Sequence, residues 1–134
     1  MITSEGPAPG TAIVVAGEAE DRMLLRSLLR LSHYRVAGEA EGQGEALGLL
    51  RHHRPAVMVV DLHVAEGSWP SLIAGARAIL PDMKVILVAP ASSPPTDRVD
   101  REQRPDAILI RPFRIRQFAE ALLSVGTVAD PGPG

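Results

Sequence analysis

In VVDLHVAEG, residues 59–67, an aspartate closes an apolar run and a histidine follows two places on. A carboxylate at the C-terminal edge of a buried parallel strand stands where open α/β sheets hold their ligands, so Asp61 is the first residue with a claim to chemistry. One carboxylate is not a site. His52 and His53 end a helically spaced segment beside Arg51 and Arg54, where cationic or dipolar groups complement exposed carbonyls. A metal site there would need two or three more converging ligands, and none lies at helical spacing. VAGEAEDR, residues 15–22, has one glycine against the three of a dinucleotide-binding turn, which disfavours a nucleotide-binding enzyme. Arg111, Arg114 and Arg116 lie beside a polar segment, 96–104, with three more arginines. Asp97, Asp100 and Glu102 dilute that field and no aromatic residues interleave, so the cluster reads as a solvated face or a protein contact, with no direct nucleic-acid binding.

The elements that must position these residues follow from patterning. A chain of 134 residues suits one domain, and 46% hydrophobic with 22% charged residues is globular. Only 3% are aromatic, so the core must be aliphatic. Without cysteine there is neither a disulfide framework nor a thiolate metal site, which fits a reducing, cytoplasmic setting. The first ten residues lack the basic and apolar regions of a signal peptide and read as a loose tail. No apolar run is long enough to span a membrane, and a net charge of -2 recruits neither nucleic acid nor anionic lipid.

Five runs rich in β-branched residues recur along the chain, at 12–15, 34–37, 56–60, 84–88 and 107–110. Three are nearly continuously apolar, which implies burial on both faces and a parallel sheet covered by helices; the second is more polar, as an edge strand would be. Segments 20–32, 44–53, 71–80 and 115–125 carry apolar residues at helical spacing. With right-handed crossovers this β-α alternation gives a three-layer, doubly wound, five-stranded sheet. The exception is residues 91–105, ASSPPTDRVDREQRP, where Val99 is the one large apolar residue and Pro94 and Pro95 bar an early helix start. A short or irregular fourth helix, confined to 96–103, is expected there. Trp69 should anchor the start of the third helix, with a partner contact as the alternative. Residues 127–134 read as a disordered tail or a linker.

Over residues 11–126 the chain resembles the receiver domains of bacterial two-component response regulators. VVDLHVAEG looks like the family's third strand with its phospho-accepting aspartate, EGQGEALGLLRHHRP like its second helix, and LIRPF like its fifth-strand Lys-Pro-Phe corner. The resemblance implies a flavodoxin-like strand order, 2-1-3-4-5, and a non-enzymatic signalling role. It also implies a site most of whose residues are replaced. The acidic pair that binds Mg²⁺ at the end of the first strand is Ala16 and Gly17; the fourth-strand hydroxyl is Ala89; the lysine is Arg111; the aromatic switch residue is Ile108. Asp61 alone remains. The family's three carboxylates and one lysine sum to -2, a host for a hard cation, whereas Asp61 and Arg111 sum to zero. Glu18 is a substitute metal ligand within reach of that edge, but at a helix entry it is better placed in water, favouring the N-terminus through the dipole.

Two arrangements are then open: Arg111 and Asp61 form a direct ion pair, which a guanidinium fork suits, or Asp61 is partly solvated and Arg111 points outward. Asp61 to Gly67 also brushes against the Asp-x-His-x-x-Gly signature of cobalamin-binding domains, with one residue too many and on the wrong strand. The expected function is an atypical receiver module acting through a protein partner, an output domain or a homodimer, with no cofactor and no Mg²⁺. The alternative is a true phospho-acceptor at Asp61 served by a histidine kinase. A dimer would use either the family's usual fourth-helix, fifth-strand face, here abnormal, or the leucine-rich first helix with the last.

Overall fold

A computed structural model describes residues 7–95 and 99–126 of the chain. The elements are β1 (Ala8–Val15), α1 (Ala19–Leu31), β2 (Arg35–Ala40), α2 (Gln43–His53), β3 (Pro55–Asp61), α3 (Trp69–Ile79), β4 (Lys84–Pro90), β5 (Ala107–Arg111) and α4 (Ile115–Ser124). The five strands pair in parallel in the order β2-β1-β3-β4-β5. This is the doubly wound arrangement that the alternating pattern predicts.

Strand alternation divides the core into two layers. Ile13, Val15, Met58, Val60, Val85 and Leu87 face α2 and α3, while Ala12, Val14, Val57, Val59, Ile86 and Val88 face α1 and α4. All twelve are fully buried, which is why the three central strands read as unbroken apolar runs. The helices seal these layers with Leu25 and Leu29 of α1, Ala46 and Leu50 of α2, Leu72, Ile73 and Ala76 of α3, and Phe118 and Leu122 of α4. Trp69 opens α3 and is buried in the first layer; the Ser68 hydroxyl caps the helix by accepting from the Ser71 amide.

Two expectations need correction. Ala8, Pro9 and Gly10 are not part of a loose tail but the start of β1. The Ala8 amide donates to the Arg54 carbonyl at 2.7 Å, and Ala8 pairs with Pro55. Gly10, at φ 71, lets the chain bend into register with Ala12, and the Thr11 hydroxyl closes the bend on the Ala8 carbonyl. Residues 1–6 and 127–134 lie outside the described residues. The second strand runs on through Gly38 and Glu39, whose low strand propensity is overridden by pairing with Ile13 and Val14 of β1.

Between β4 and β5 the described residues hold a single 3₁₀ turn, Arg101–Gln103, capped reciprocally by Asp100 and Gln103. The expected helix range reaches to 96–98, which lie outside the described residues. A full covering helix would lie over the outer face of β5; here Ile108 and Ile110 on that face are exposed, while Ala107 and Leu109 pack against the layer under α1 and α4.

Candidate functional site

The C-terminal edge of the sheet brings together residues far apart in sequence. Asp61 ends β3, Ala89 lies near the end of β4, Arg111 ends β5, and Ala16 and Gly17 follow β1. Asp61 is buried, at 2% exposure. Both of its carboxylate oxygens are engaged: Oδ1 accepts from the His63 amide at 2.9 Å, and Oδ2 accepts from Arg111 Nη1 at 2.8 Å. Arg111 is therefore not turned outward. Its Nη2 lies 3.4 Å from Asp21 Oδ1 in the first turn of α1, an ion-pair distance at which no hydrogen bond is formed.

A second guanidinium serves the same edge. Arg22, also in the first turn of α1, donates from Nη1 to the Ala16 carbonyl at 2.8 Å and to the Gly17 carbonyl at 3.3 Å. Glu18, in contrast, is exposed at the N-cap of α1 and accepts no capping bond. Asp21 and Arg22 carry no motif that marks them in the sequence. The one signal for them was their place in the first turn of a helix entering from this edge, where a polar residue can reach back over the strand ends.

Gly17 is where the loops after β1 and β3 touch. Its amide donates to the His63 carbonyl at 3.0 Å, and a Cβ there would stand 3.0 Å from the same oxygen and 3.3 Å from the Ala65 nitrogen. Both neighbours are backbone, so a side chain would force the loops apart. Further along, the Ala65 amide donates to the Glu41 carbonyl, and the Glu66 carboxylate accepts from the Gly44 amide at 3.0 Å at the N-terminus of α2. A carboxylate at that end complements the helix dipole, and it fastens the loop that follows Asp61. Glu66 was also missed, because its partner belongs to another helix.

The acceptor oxygens at this edge suit guanidinium groups better than a hard divalent cation. The carboxylates of Asp61 and Asp21 face Arg111, and the carbonyls of Ala16 and Gly17 accept from Arg22. Two acids and two bases sum to zero charge, where a divalent site needs an excess of oxygen anions. Among the described residues no cluster of three or more His, Cys, Asp or Glu could hold a metal. Ala89 is fully buried and offers no hydroxyl. His52 and His53 pack edge to face, with ring centroids 4.5 Å apart, in the last turn of α2. Arg114 and Arg116 are exposed on the entry to α4. Among the described residues no helix is long and apolar enough to cross a membrane.

The strand order and this strand-end site define a doubly wound, flavodoxin-like α/β module. Its solved structural neighbours include response-regulator receiver domains. The receiver domain of the response regulator AraT from Geobacillus stearothermophilus is 25% identical, with a TM-score of 0.75 over 86% of this chain and 91% of that one. The receiver domain of the putative response regulator NarL from Mycobacterium tuberculosis is 22% identical, with a TM-score of 0.72 over 90% and 99%. That of PhyR from Erythrobacter litoralis is 17% identical, with a TM-score of 0.73 over 96% and 98%. No family model matches the sequence, and no curated protein matches it. The chain has the receiver-domain fold of response regulators.

Proposed function

We propose that this is an atypical receiver module, a cytoplasmic signalling domain rather than an enzyme, which acts by protein contact without a Mg²⁺-dependent phosphorylation cycle. The observation that carries the reading is the state of Asp61: buried, with one oxygen held by a backbone amide and the other by Arg111. An oxygen committed in this way is a poor nucleophile, and its release would leave a partly buried guanidinium short of its shortest contact. Four substitutions support the same reading. Ala16 and Gly17 offer no acidic side chains for a cation, Ala89 offers no hydroxyl to a phosphoryl group, and Ile108 has no ring to turn inward. No cofactor is required, and the partner is a protein: an output domain or a second copy of the chain.

The test is incubation of the full chain with a small phosphodonor and Mg²⁺, followed by intact-mass measurement. The expected result is no mass gain. A phosphoryl gain abolished by Asp61→Asn would overturn the proposal and establish the rival reading, a phospho-acceptor served by a histidine kinase.

A further inference from the structure

The N-terminal edge of the sheet, opposite the end that carries Asp61, holds a polar cleft. Its volume is about 510 Å³, and it lies between the last turn of α3, the start of β4 and the segment 101–106 that leads into β5. Apart from two prolines every residue lining it is charged: Arg77, Lys84, Arg101 and Arg104 against Glu102 and Asp106. Part of this set is structural. Asp106 Oδ2 accepts from the Val85 amide at 2.8 Å and from Arg77 Nη2 at 3.2 Å, and the same Arg77 nitrogen donates to the Arg104 carbonyl at 2.6 Å. The Asp106 amide returns a bond to the Val85 carbonyl at 2.8 Å. This network fastens α3, β4 and the approach to β5 to one another, and within it the charges of Arg77 and Asp106 neutralise each other.

The other four charges are not used in this way. Among the described residues the side chains of Lys84, Arg101, Arg104 and Glu102 enter no hydrogen bond or ion pair, so three cations and one carboxylate leave a net +2 around the cleft. Helix ends account for Arg77 alone, which complements the dipole in the last turn of α3. Lys84 opens a strand, and Arg101 and Arg104 bound a 3₁₀ turn of three residues. A concavity lined by an excess of one sign focuses the field within it and concentrates counter-ions there.

We propose that this cleft binds a small anion carrying a diphosphate group, with the forks of Arg101 and Arg104 on its oxygens and the Lys84 ammonium as a point charge beside them. The volume falls within the range of small-molecule sites, roughly 300–1,000 Å³. Three unpaired cations exceed the charge of one orthophosphate and suit two linked phosphoryl groups. No aromatic ring lines the cleft, so a base has nothing to stack on, and recognition is of the phosphates rather than of a nucleoside. The bound anion bridges Lys84 on β4 to Arg101 and Arg104 and holds the segment between β4 and β5 against the sheet. This site lies at the other end of the strands from Asp61 and does not depend on the proposed role in protein contact.

The test is calorimetric titration of the full chain with pyrophosphate at about 50 mM salt, where exposed charges are only partly screened. One-to-one binding with a Kd below about 1 mM is expected, with orthophosphate about tenfold weaker and a nucleoside diphosphate about equal to pyrophosphate. Arg101→Gln and Arg104→Gln, both at exposed positions, and Lys84→Gln should keep the circular dichroism spectrum and each weaken binding about tenfold. Glu102→Gln should tighten it, and Arg116→Gln, on α4 outside the lining, should leave it unchanged. Lys84 is the single lysine beside 13 arginines, which supplies a second readout. Pyrophosphate at about ten times its Kd should slow acylation of Lys84 by an amine-reactive ester about tenfold, as read by peptide mass mapping. Lys84 left unprotected at about 10 mM pyrophosphate, or equal losses from Arg116→Gln and Arg104→Gln, would overturn the site. A nucleoside diphosphate bound more than about tenfold tighter than pyrophosphate would overturn the ligand class.

Discussion

The guanidinium of Arg111 lies 2.8 Å from the Asp61 carboxylate, and this contact joins the ends of two strands that are not neighbours in the sheet. β4 runs between them, and Ala89 near its end is fully buried. The same guanidinium approaches Asp21, so one side chain ties β3, β5 and α1 at the C-terminal edge of the sheet.

Arg111→Ala should therefore destabilise the domain. Removing one partner of a fully buried pair costs about 3–5 kcal/mol; Arg111 is a quarter exposed and Asp61 keeps its bond to the His63 amide, which together reduce the figure to about 2 kcal/mol. Arg111→Lys should recover roughly half, because an ammonium lacks the fork that reaches both Asp61 and Asp21. Urea denaturation of both variants, with an Asp61→Ala/Arg111→Ala double-mutant cycle, measures the coupling. Strict additivity would show that the contact contributes nothing.

Gly17 and Gly48 should respond in opposite directions to the same change. Gly17→Ala places a methyl 3.0 Å from the His63 carbonyl and should cost about 1–2 kcal/mol as two loops separate. Gly48, exposed in the middle of α2, has nothing within 4 Å of an added Cβ, and Gly48→Ala should stabilise by about 0.5–1 kcal/mol through helix propensity. Thermal melts of the two variants, read against the wild type, decide it.

The contrast between these glycines also marks what the sequence could reveal. The layered sheet was legible because strands buried on both faces must be apolar throughout, as Met58 to Val60 and Val85 to Val88 are. Asp61 and Arg111 were legible as positions at strand ends. Their contact was one of two open arrangements, and geometry separated them. The meaning of Gly17 was not legible, since its close neighbour, the His63 carbonyl, comes from a loop 46 positions away. Asp21 and Arg22 were hidden for a similar reason. Amphipathic spacing shows which face of α1 is buried, whereas the reach of its first turn over the strand ends depends on how the helix is laid on the sheet. Ala8 and Gly10 were obscured by composition, because the flanking prolines and glycine look like coil until Pro55 supplies a partner.

Glu66→Ala should loosen the loop after Asp61 without unfolding the sheet. The substitution removes the acceptor of the Gly44 amide and the charge at the N-terminus of α2, at a cost of about 1 kcal/mol. The amides of Ala65 and Gln43, which bond across the same junction, should exchange with solvent faster, while those of β1 and β3 keep their protection. Hydrogen exchange resolved by residue checks this; equal acceleration in the strands would mean global destabilisation instead.

The two faces of β5 should differ sharply in what they contribute. Ile108 is about half exposed on the side left open by the short turn at Arg101–Gln103, so Ile108→Thr should change stability by no more than about 0.5 kcal/mol. Leu109, its neighbour on the opposite face, packs into the layer under α1 and α4, and Leu109→Ala should cost about 2 kcal/mol, short of the full core penalty because the residue is only partly buried. Denaturant midpoints of the two variants measure the difference. Were Ile108→Thr to cost as much as Leu109→Ala, the outer face of β5 would have to be covered in solution, by another segment of the chain or by a second copy.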